Sequence, residues 1–485
     1  MLLAAAIPVT ARVAPWSAFT LTLAGVAASA AASIWALFDV LDNGPVSYHL
    51  SGWAPPVGIE YVVDNVSAFV ALVVTSVSLL VIVSTRRFAD REMGDRLGPF
   101  YGLVLLLLAG LTGMVVTGDL FNLFVFLEIS SLAAYALVFM GGRKGMIASF
   151  RYLILGSIGG SFYLLGVGFI YFATGTLNMA DAKEILEVDA TARSVQAGAI
   201  FIFAGLGLKM ALVPLHLWLP DAYTHAPSSV NSLIAPVMTK VGAYAMLRMF
   251  LSVFPDGYLK DVVPVADALV ILGVIGVLFG AIAAASQTDI RRVLAYSSVG
   301  QLAMIAVAIG LATPLAFAAA LLHIMNHAVM KAVLFLSLAS VRFNTGTSEV
   351  DGFAGLGRRM PVTMAAFTVA AIAMVGIPPA VGFFSKWYLA QAAIDADQWL
   401  VVAVVLASSL LSAVYLFRVI ESAYLRAPTP AVAGAAPDAP NSGPPGIKTE
   451  SKFDVLAPIV LLAIAAIVLG VFNATIMTEV LEPGL

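Results

Sequence analysis

Charge-poor apolar windows of bilayer length recur down this chain, and they restrict its possible folds more than any other feature. A membrane-crossing helix needs about 20 predominantly apolar residues. Such windows cover residues 15–39, 64–86, 99–117, 119–140, 147–175, 195–219, 228–254, 262–286, 291–312, 314–341, 361–391, 398–424 and 454–477. A further apolar stretch at 2–13 is short for a crossing; with it the windows number about 14. Of the 485 residues, 61% are hydrophobic and 11% charged. Soluble domains carry roughly a quarter charged residues, so this chain cannot cover a water-facing surface. The expected fold class is an all-α polytopic membrane protein.

The same sequence excludes several kinds of chemistry. It has no cysteine, hence no thiolate-held iron–sulfur cluster, disulfide or thiol reaction. The five histidines match no haem-attachment or zinc motif. No cofactor or metal is expected, and any redox step would fall to other chains. A net charge of −3 suggests no nucleic-acid partner. The start, "MLLAAAIPVTARVAPW", lacks the positively charged opening of a signal peptide.

Two stretches interrupt the helical rhythm. In "PVSYHLSGWAPPVGIEYVVD" (45–64), Tyr48, Leu50, Ile59, Tyr61 and Val63 alternate with smaller or polar residues around a Gly/Pro-rich centre; this pattern predicts a β-hairpin on one membrane face. Residues 426–452 are rich in proline, glycine and alanine and read as a flexible loop. Loop charges then set the orientation. One face collects Arg12, Arg86, Arg87, Arg91, Arg96, Arg143, Lys144, Arg151, Arg291, Arg292, Arg342, Arg358, Arg359, Arg418, Arg426, Lys448 and Lys452. The other collects Lys183, Arg193 and Lys260. The basic face is expected to be cytoplasmic, which places both termini and the hairpin outside.

Five basic residues remain within the windows: Lys209, Lys240, Arg248, Lys331 and Lys386. Arg248 is near a helix end and is expected to snorkel to the interface. Glu128 is the one acid deep in a window. A charge at mid-bilayer costs about 2.5–3.5 kcal/mol on insertion scales, so each needs a reason. A structural reading has Glu128 pair with one lysine and tie two helices together. That leaves the other lysines without an acid, and desolvation destabilises the charged form of an amine, a property a proton relay uses. His323, His327 and Lys331 fall at i, i+4 and i+8, on one helix face. Two histidines four apart can bind a metal, but no carboxylate or cysteine neighbours them in sequence. The stripe reads as a stretch of polar path.

Two windows contain helix breaks. Lys209 precedes Pro214, and Pro378 and Pro379 precede Lys386. Proline removes a backbone donor and frees a carbonyl, which membranes tolerate where protein or a hydrated cavity satisfies it. With 2–13 as the first span, the breaks fall in spans 7 and 12. Each is fourth in a five-helix unit, spans 4–8 and spans 9–13, and the two units have opposite topology by counting. Interrupted helices at matching places point to inverted repeats; two ordinary proline kinks are the alternative. The expected layout is N-terminal helices and hairpin (1–98), a first repeat (99–254), a second repeat (255–424), the loop (425–453) and a last helix (454–485).

Several motifs resemble a known family. "TGDLFNLFVFLEISSLAAYAL" (117–137), "ATGTLNMADA" (173–182), "LKMALVPLHLWLPDAYTHAPSSVNSLIAPVMTKVGAYAMLR" (208–248), "HIMNHAVMKAVLF" (323–335) and "GIPPAVGFFSKW" (376–387) are similar to the antiporter-like membrane subunits. These subunits are shared by respiratory complex I, membrane-bound hydrogenases and multisubunit Mrp-type cation/proton antiporters. The resemblance implies a proton path through Glu128 (span 5), Lys209 (span 7), Lys240 (span 8), His323, His327 and Lys331 (span 11) and Lys386 (span 12). It also implies that opening of a Glu128–Lys209 pair controls the lysine. A 4 Å pair at an effective dielectric of about 20 is worth about 4 kcal/mol. "TGDLFNLFVFLE" and "TGTLNMADA" most resemble the D-type member of the Mrp antiporters, which implies H⁺ and Na⁺ as transported ions, A, B, C, E, F and G type Mrp proteins as partners, and a prokaryotic plasma membrane. "PLHLWLPDAYTHAP" is equally the form of the complex I M/N-type and hydrogenase subunits, which implies a redox-driven proton pump as the alternative. A stand-alone solute carrier is a third reading, but no anion-binding or aromatic-cage cluster favours it.

Overall fold

The computed structural model describes residues 1–427 and 450–485. Most of the loop expected at 426–452 lies outside the described residues. The remainder is a helical bundle with one small sheet. In chain order the principal helices of the first part are α1 (Leu2–Val13), α2 (Trp16–Asn43), α3 (Asn65–Met93), α4 (Leu97–Val116), α5 (Leu120–Phe139), α6 (Gly142–Thr174), α7 (Met179–Val188), α8 (Arg193–Lys209), α9 (Trp218–His225) and α10 (Ser228–Ser252). There follow α11 (Tyr258–Asp261), α12 (Val265–Ala285), α13 (Ile290–Gly310), α14 (Pro314–Thr345), α15 (Leu356–Arg359), α16 (Pro361–Val375), α17 (Val381–Asp395), α18 (Trp399–Leu425) and α19 (Phe453–Val471).

Each expected window contains helix, but not every one is a continuous crossing. Among the described residues ten helical stretches are long and apolar enough to span a membrane. The number is up to eleven if Val350–Arg359 and Pro361–Val375, bent by 120°, form one span. This differs from the expected 14 for three reasons. α1 has 12 residues, α3 and α4 run together as one stretch, Asn65–Val116, and the windows at 195–219 and 361–391 are broken into shorter helices.

The hairpin is present. β1 (Val46–His49) pairs antiparallel with β2 (Glu60–Val63), with Tyr48 opposite Tyr61. Asp64 then starts α3 with a capping box: its Oδ1 accepts from Ser67 N at 2.8 Å, and Ser67 Oγ accepts from Asp64 N at 2.8 Å.

Burial sorts the helices in a way opposite to a soluble protein. α2 turns Trp16, Trp35 and Phe38 outward. α10, α13 and α14 are almost wholly enclosed, and they carry Lys240, Gln301, His323, His327 and Lys331. Lipid solvates the most apolar surfaces, so ionisable groups collect where other helices can bond them.

Arg248 departs from the expected snorkelling. It is 5% exposed and donates to Asp64 Oδ2 at 2.5 Å, fixing α10 to the cap of α3. Breaking a buried pair on one side is costly because a charge is orphaned. Arg248→Ala should therefore lower stability by about 3 kcal/mol, read as an earlier thermal unfolding transition in detergent. An unchanged transition would show the pair to be idle.

Candidate functional site

The first break builds half of the site. α8 stops at Lys209, and Ala211 takes a positive φ of 61° before Pro214. The Trp218 indole, at the start of α9, donates to the Leu208 carbonyl at 2.9 Å, answering part of the bonding deficit at the break. That indole stacks on Tyr152 at 4.1 Å between centroids, and Tyr152 packs edge-on against Tyr135 at 4.4 Å. The geometry of the break is thus passed through three rings to α5.

On α5, Glu128, Ser131 and Tyr135 fall at i, i+3 and i+7, one helix face. Lys209 Nζ lies 3.2 Å from Glu128 Oε1, 2.8 Å from Ser131 Oγ and 3.5 Å from the Tyr135 hydroxyl. The expected Glu128–Lys209 pair is therefore formed. At an effective dielectric of about 20, its gross attraction at this distance is about 5 kcal/mol. Two glycines of α6 make the space. A Cβ at Gly160 would overlap Glu128 Oε1, and one at Gly156 would overlap the Tyr135 hydroxyl. On the far side, Gly242 of α10 lets that helix approach the Lys209 backbone, since its Cβ would be 3.4 Å from Lys209 C.

Lys240, two residues earlier on α10, is 1% exposed and donates to the Ala235 carbonyl at 2.5 Å. Its helix packs along α14, which carries His323, His327 and Lys331. Lys331 donates to Leu294 O at 2.8 Å and to Ser297 Oγ at 2.6 Å, both on α13. His327 is fully buried with neither ring nitrogen partnered. Its ring lies nearly parallel to that of His323, 6.1 Å away. His323 bridges two helices: Nε2 is 3.0 Å from Gln301 Oε1 on α13, and Nδ1 is 2.9 Å from Ser385 Oγ on α17.

The second break holds the last lysine. α16 ends before Gly376, whose φ of 92° suits glycine. Lys386 of α17 reaches back to the Met374 and Val375 carbonyls at 3.0 and 3.1 Å, and to Ser409 Oγ on α18 at 3.0 Å. Those carbonyls are the negative end of α16, a favourable place for a cation. Lys209 and Lys386 are thus not equivalent. One precedes its break and faces a carboxylate; the other follows its break and caps a helix.

Among the described residues, Lys240, Lys331 and Lys386 form no ion pair with a carboxylate. Their partners are carbonyls and hydroxyls. A neutral amine keeps two N–H donors and gains a lone pair, while a serine hydroxyl both donates and accepts. Each lysine can therefore lose a proton with its carbonyl bonds kept, and Ser297 or Ser409 can turn to donate. Lys209 has the same facility through Ser131 and Tyr135. No three His, Asp or Glu side chains are grouped as metal ligands among the described residues.

Sequence reasoning missed Ser131, Tyr135, Ser297, Gln301, Ser385 and Ser409. Three had a local signal: Ser131 and Tyr135 share Glu128's face, and Ser385 adjoins Lys386. The others meet these groups only across helix–helix contacts, Ser297 and Gln301 of α13 with α14 and Ser409 of α18 with α17.

A bundle of membrane helices with a line of ionisable groups at its centre is the architecture of a membrane ion-translocating protein. Its relatives agree. The family model described as "NADH:quinone oxidoreductase/Mrp antiporter, TM" matches residues 117–412, and the chain belongs to that family. It is 45% identical over 468 residues to the N subunit of NADH-quinone oxidoreductase from Desulforudis audaxviator, covering 96% of this chain and 92% of that one. It is 33% identical over 396 residues to the D subunit of the Na(+)/H(+) antiporter from Alkalihalophilus pseudofirmus, covering 81% and 78%. A chain of the membrane-bound sulfane sulfur reductase, an archaeal respiratory membrane complex, superposes with a TM-score of 0.89 at 32% identity, covering 100% of this chain and 95% of that one.

Proposed function

We propose that this chain moves protons through a prokaryotic plasma membrane along Glu128, Lys209, Lys240, His327, Lys331, His323 and Lys386, as one component of a multisubunit complex. The observation that carries the reading is the asymmetry of the lysines: one is held by a carboxylate, and three are held by groups that accept either protonation state. Parting Glu128 from Lys209 withdraws about 5 kcal/mol of attraction. Lys209 then releases its proton toward Lys240, on the helix that Gly242 brings against the Lys209 backbone.

We read the fold as 14 spans, with α1 short and the α8/α9 and α16/α17 pairs each one broken span. The two five-helix repeats (99–254 and 255–424) are supported by a shared clamp. In the first, Leu120 N donates to Leu177 O and Met179 N to Gly118 O, at 2.8 and 2.9 Å. In the second, Ile290 N donates to Ser348 O and Val350 N to Thr288 O, at 2.8 and 3.0 Å. Both clamps join the start of a unit's second helix to the segment after its third, and "TGT" stands in both, at 174–176 and 345–347. The tally of basic residues supports cytoplasmic placement of the Arg87 and Arg342 end, with both termini and the hairpin outside.

Two parents fit. The D-type Mrp motifs favour a Na⁺/H⁺ antiporter with A, B, C, E, F and G type partners. The fuller-length likeness to the N subunit of an NADH-quinone oxidoreductase favours a redox-driven pump. Membrane vesicles carrying the complex separate them. Sodium-dependent proton movement without an electron donor is expected for the antiporter; movement only with NADH, ferredoxin or hydrogen would reject it.

A further inference from the structure

A cavity of about 590 Å³ opens on the surface of the bundle where α6, α9 and α13 meet. Its charges are unbalanced. Arg151 lies 2.8 Å and Arg292 3.6 Å from the two oxygens of a single carboxylate, Asp221. Arg292 Nε is buried without a partner. So is Nδ1 of His216, which lines the same cavity from the α8–α9 break and is 5% exposed. Arg291 brings no spare anion, because Asp289 is taken up by it at 2.6 Å.

The walls are apolar and open outward. Phe150, Ile154 and Leu217 line the cavity and are about half to two-thirds exposed. From Phe150 and Ile154 an exposed stripe continues along α6 through Ile158, Phe162 and Leu165, at the spacing of one helix face. A surplus guanidinium at the head of an apolar track matches a molecule with an anionic head and a hydrocarbon tail. We propose that this cavity binds an acidic phospholipid, its phosphate between Arg151 and Arg292 and an acyl chain along Phe150, Ile154 and Ile158. Free phosphate has no use for the track, and a zwitterionic lipid brings a second cation to a site already positive.

The test uses the full chain in its native complex, reconstituted in phosphatidylcholine nanodiscs with phosphatidylglycerol as the minor lipid. Retained lipid is then counted by native mass spectrometry. Wild type should enrich phosphatidylglycerol, and Arg151→Gln and Arg292→Gln should each lower the enrichment about fivefold, the effect of about 1 kcal/mol per basic residue at an anionic surface. Arg151→Lys should keep most of it. Asp221→Asn, which frees both guanidinium groups, should raise it, a gain that misfolding would not produce. Equal phosphatidylglycerol retention in the two Gln variants would overturn the proposal. So would displacement of the lipid by inorganic phosphate, or a wild type without enrichment, as expected if another component of the complex covers this face.

Discussion

Lys209→Met should stop proton translocation by the assembled complex while leaving it folded. Methionine is close to lysine in length, and the site is lined by α5, α6 and α10, so packing is kept. Glu128 is left unpaired, a cost of the same kind as that of Arg248→Ala, which lowers thermal stability without preventing assembly. What is lost is, among the described residues, the one basic group bonded to Glu128, Ser131 and Tyr135 together. A positioned proton carrier contributes at least about 100-fold, so the flux should fall by about that factor. Size-exclusion behaviour and subunit content of the complex should match wild type. Flux within a few-fold of wild type would remove Lys209 from the path.

Gly160→Ala should produce much of the same loss without touching an ionisable group. The added methyl would occupy the place of Glu128 Oε1. That oxygen is the end of a flexible side chain, so the carboxylate swings away and the backbone stays. Alanine also favours a helix interior over glycine by roughly 0.5–1 kcal/mol. In stability this gain and the weakened Glu128–Lys209 pair oppose each other, while transport should fall about tenfold, less than the ~100-fold of a lost carrier because Lys209 is retained. Gly168→Ala on the same helix is the control, because a Cβ there meets nothing within 4 Å. Equal transport by both variants would show that the Glu128 position does not matter.

These residues also show what the sequence could carry. The windows, the hairpin at 45–64 and the two breaks were legible, because lipid, strand alternation and proline each impose a local rule. Lys209 and Glu128 were legible as misplaced charges. The supporting groups were not. Gly156 and Gly160 look like ordinary small residues in an apolar helix, and only the opposing α5 face gives them a purpose. Ser297 and Ser409 carry no signal until packing of the neighbouring helices brings Lys331 and Lys386 against them. Arg248 was misjudged because its partner, Asp64, lies 184 residues away at the foot of the hairpin. Local rules place a charge near a helix end; they do not say which distant cap will receive it.

The difference between a proton carrier and a structural tie rests on Lys209 alone. Arginine at 209 keeps the charge and can keep the bond to Glu128, but it does not release its proton in proteins. The decisive measurement is the proton flux of vesicles carrying the Lys209→Arg complex, beside wild type, with assembly and thermal stability checked on the same preparations. The relay account predicts a correctly assembled, stable complex whose flux is as low as that of Lys209→Met. A stable Lys209→Arg complex that moves protons at the wild-type rate would contradict it and leave the pair as a tie between helices.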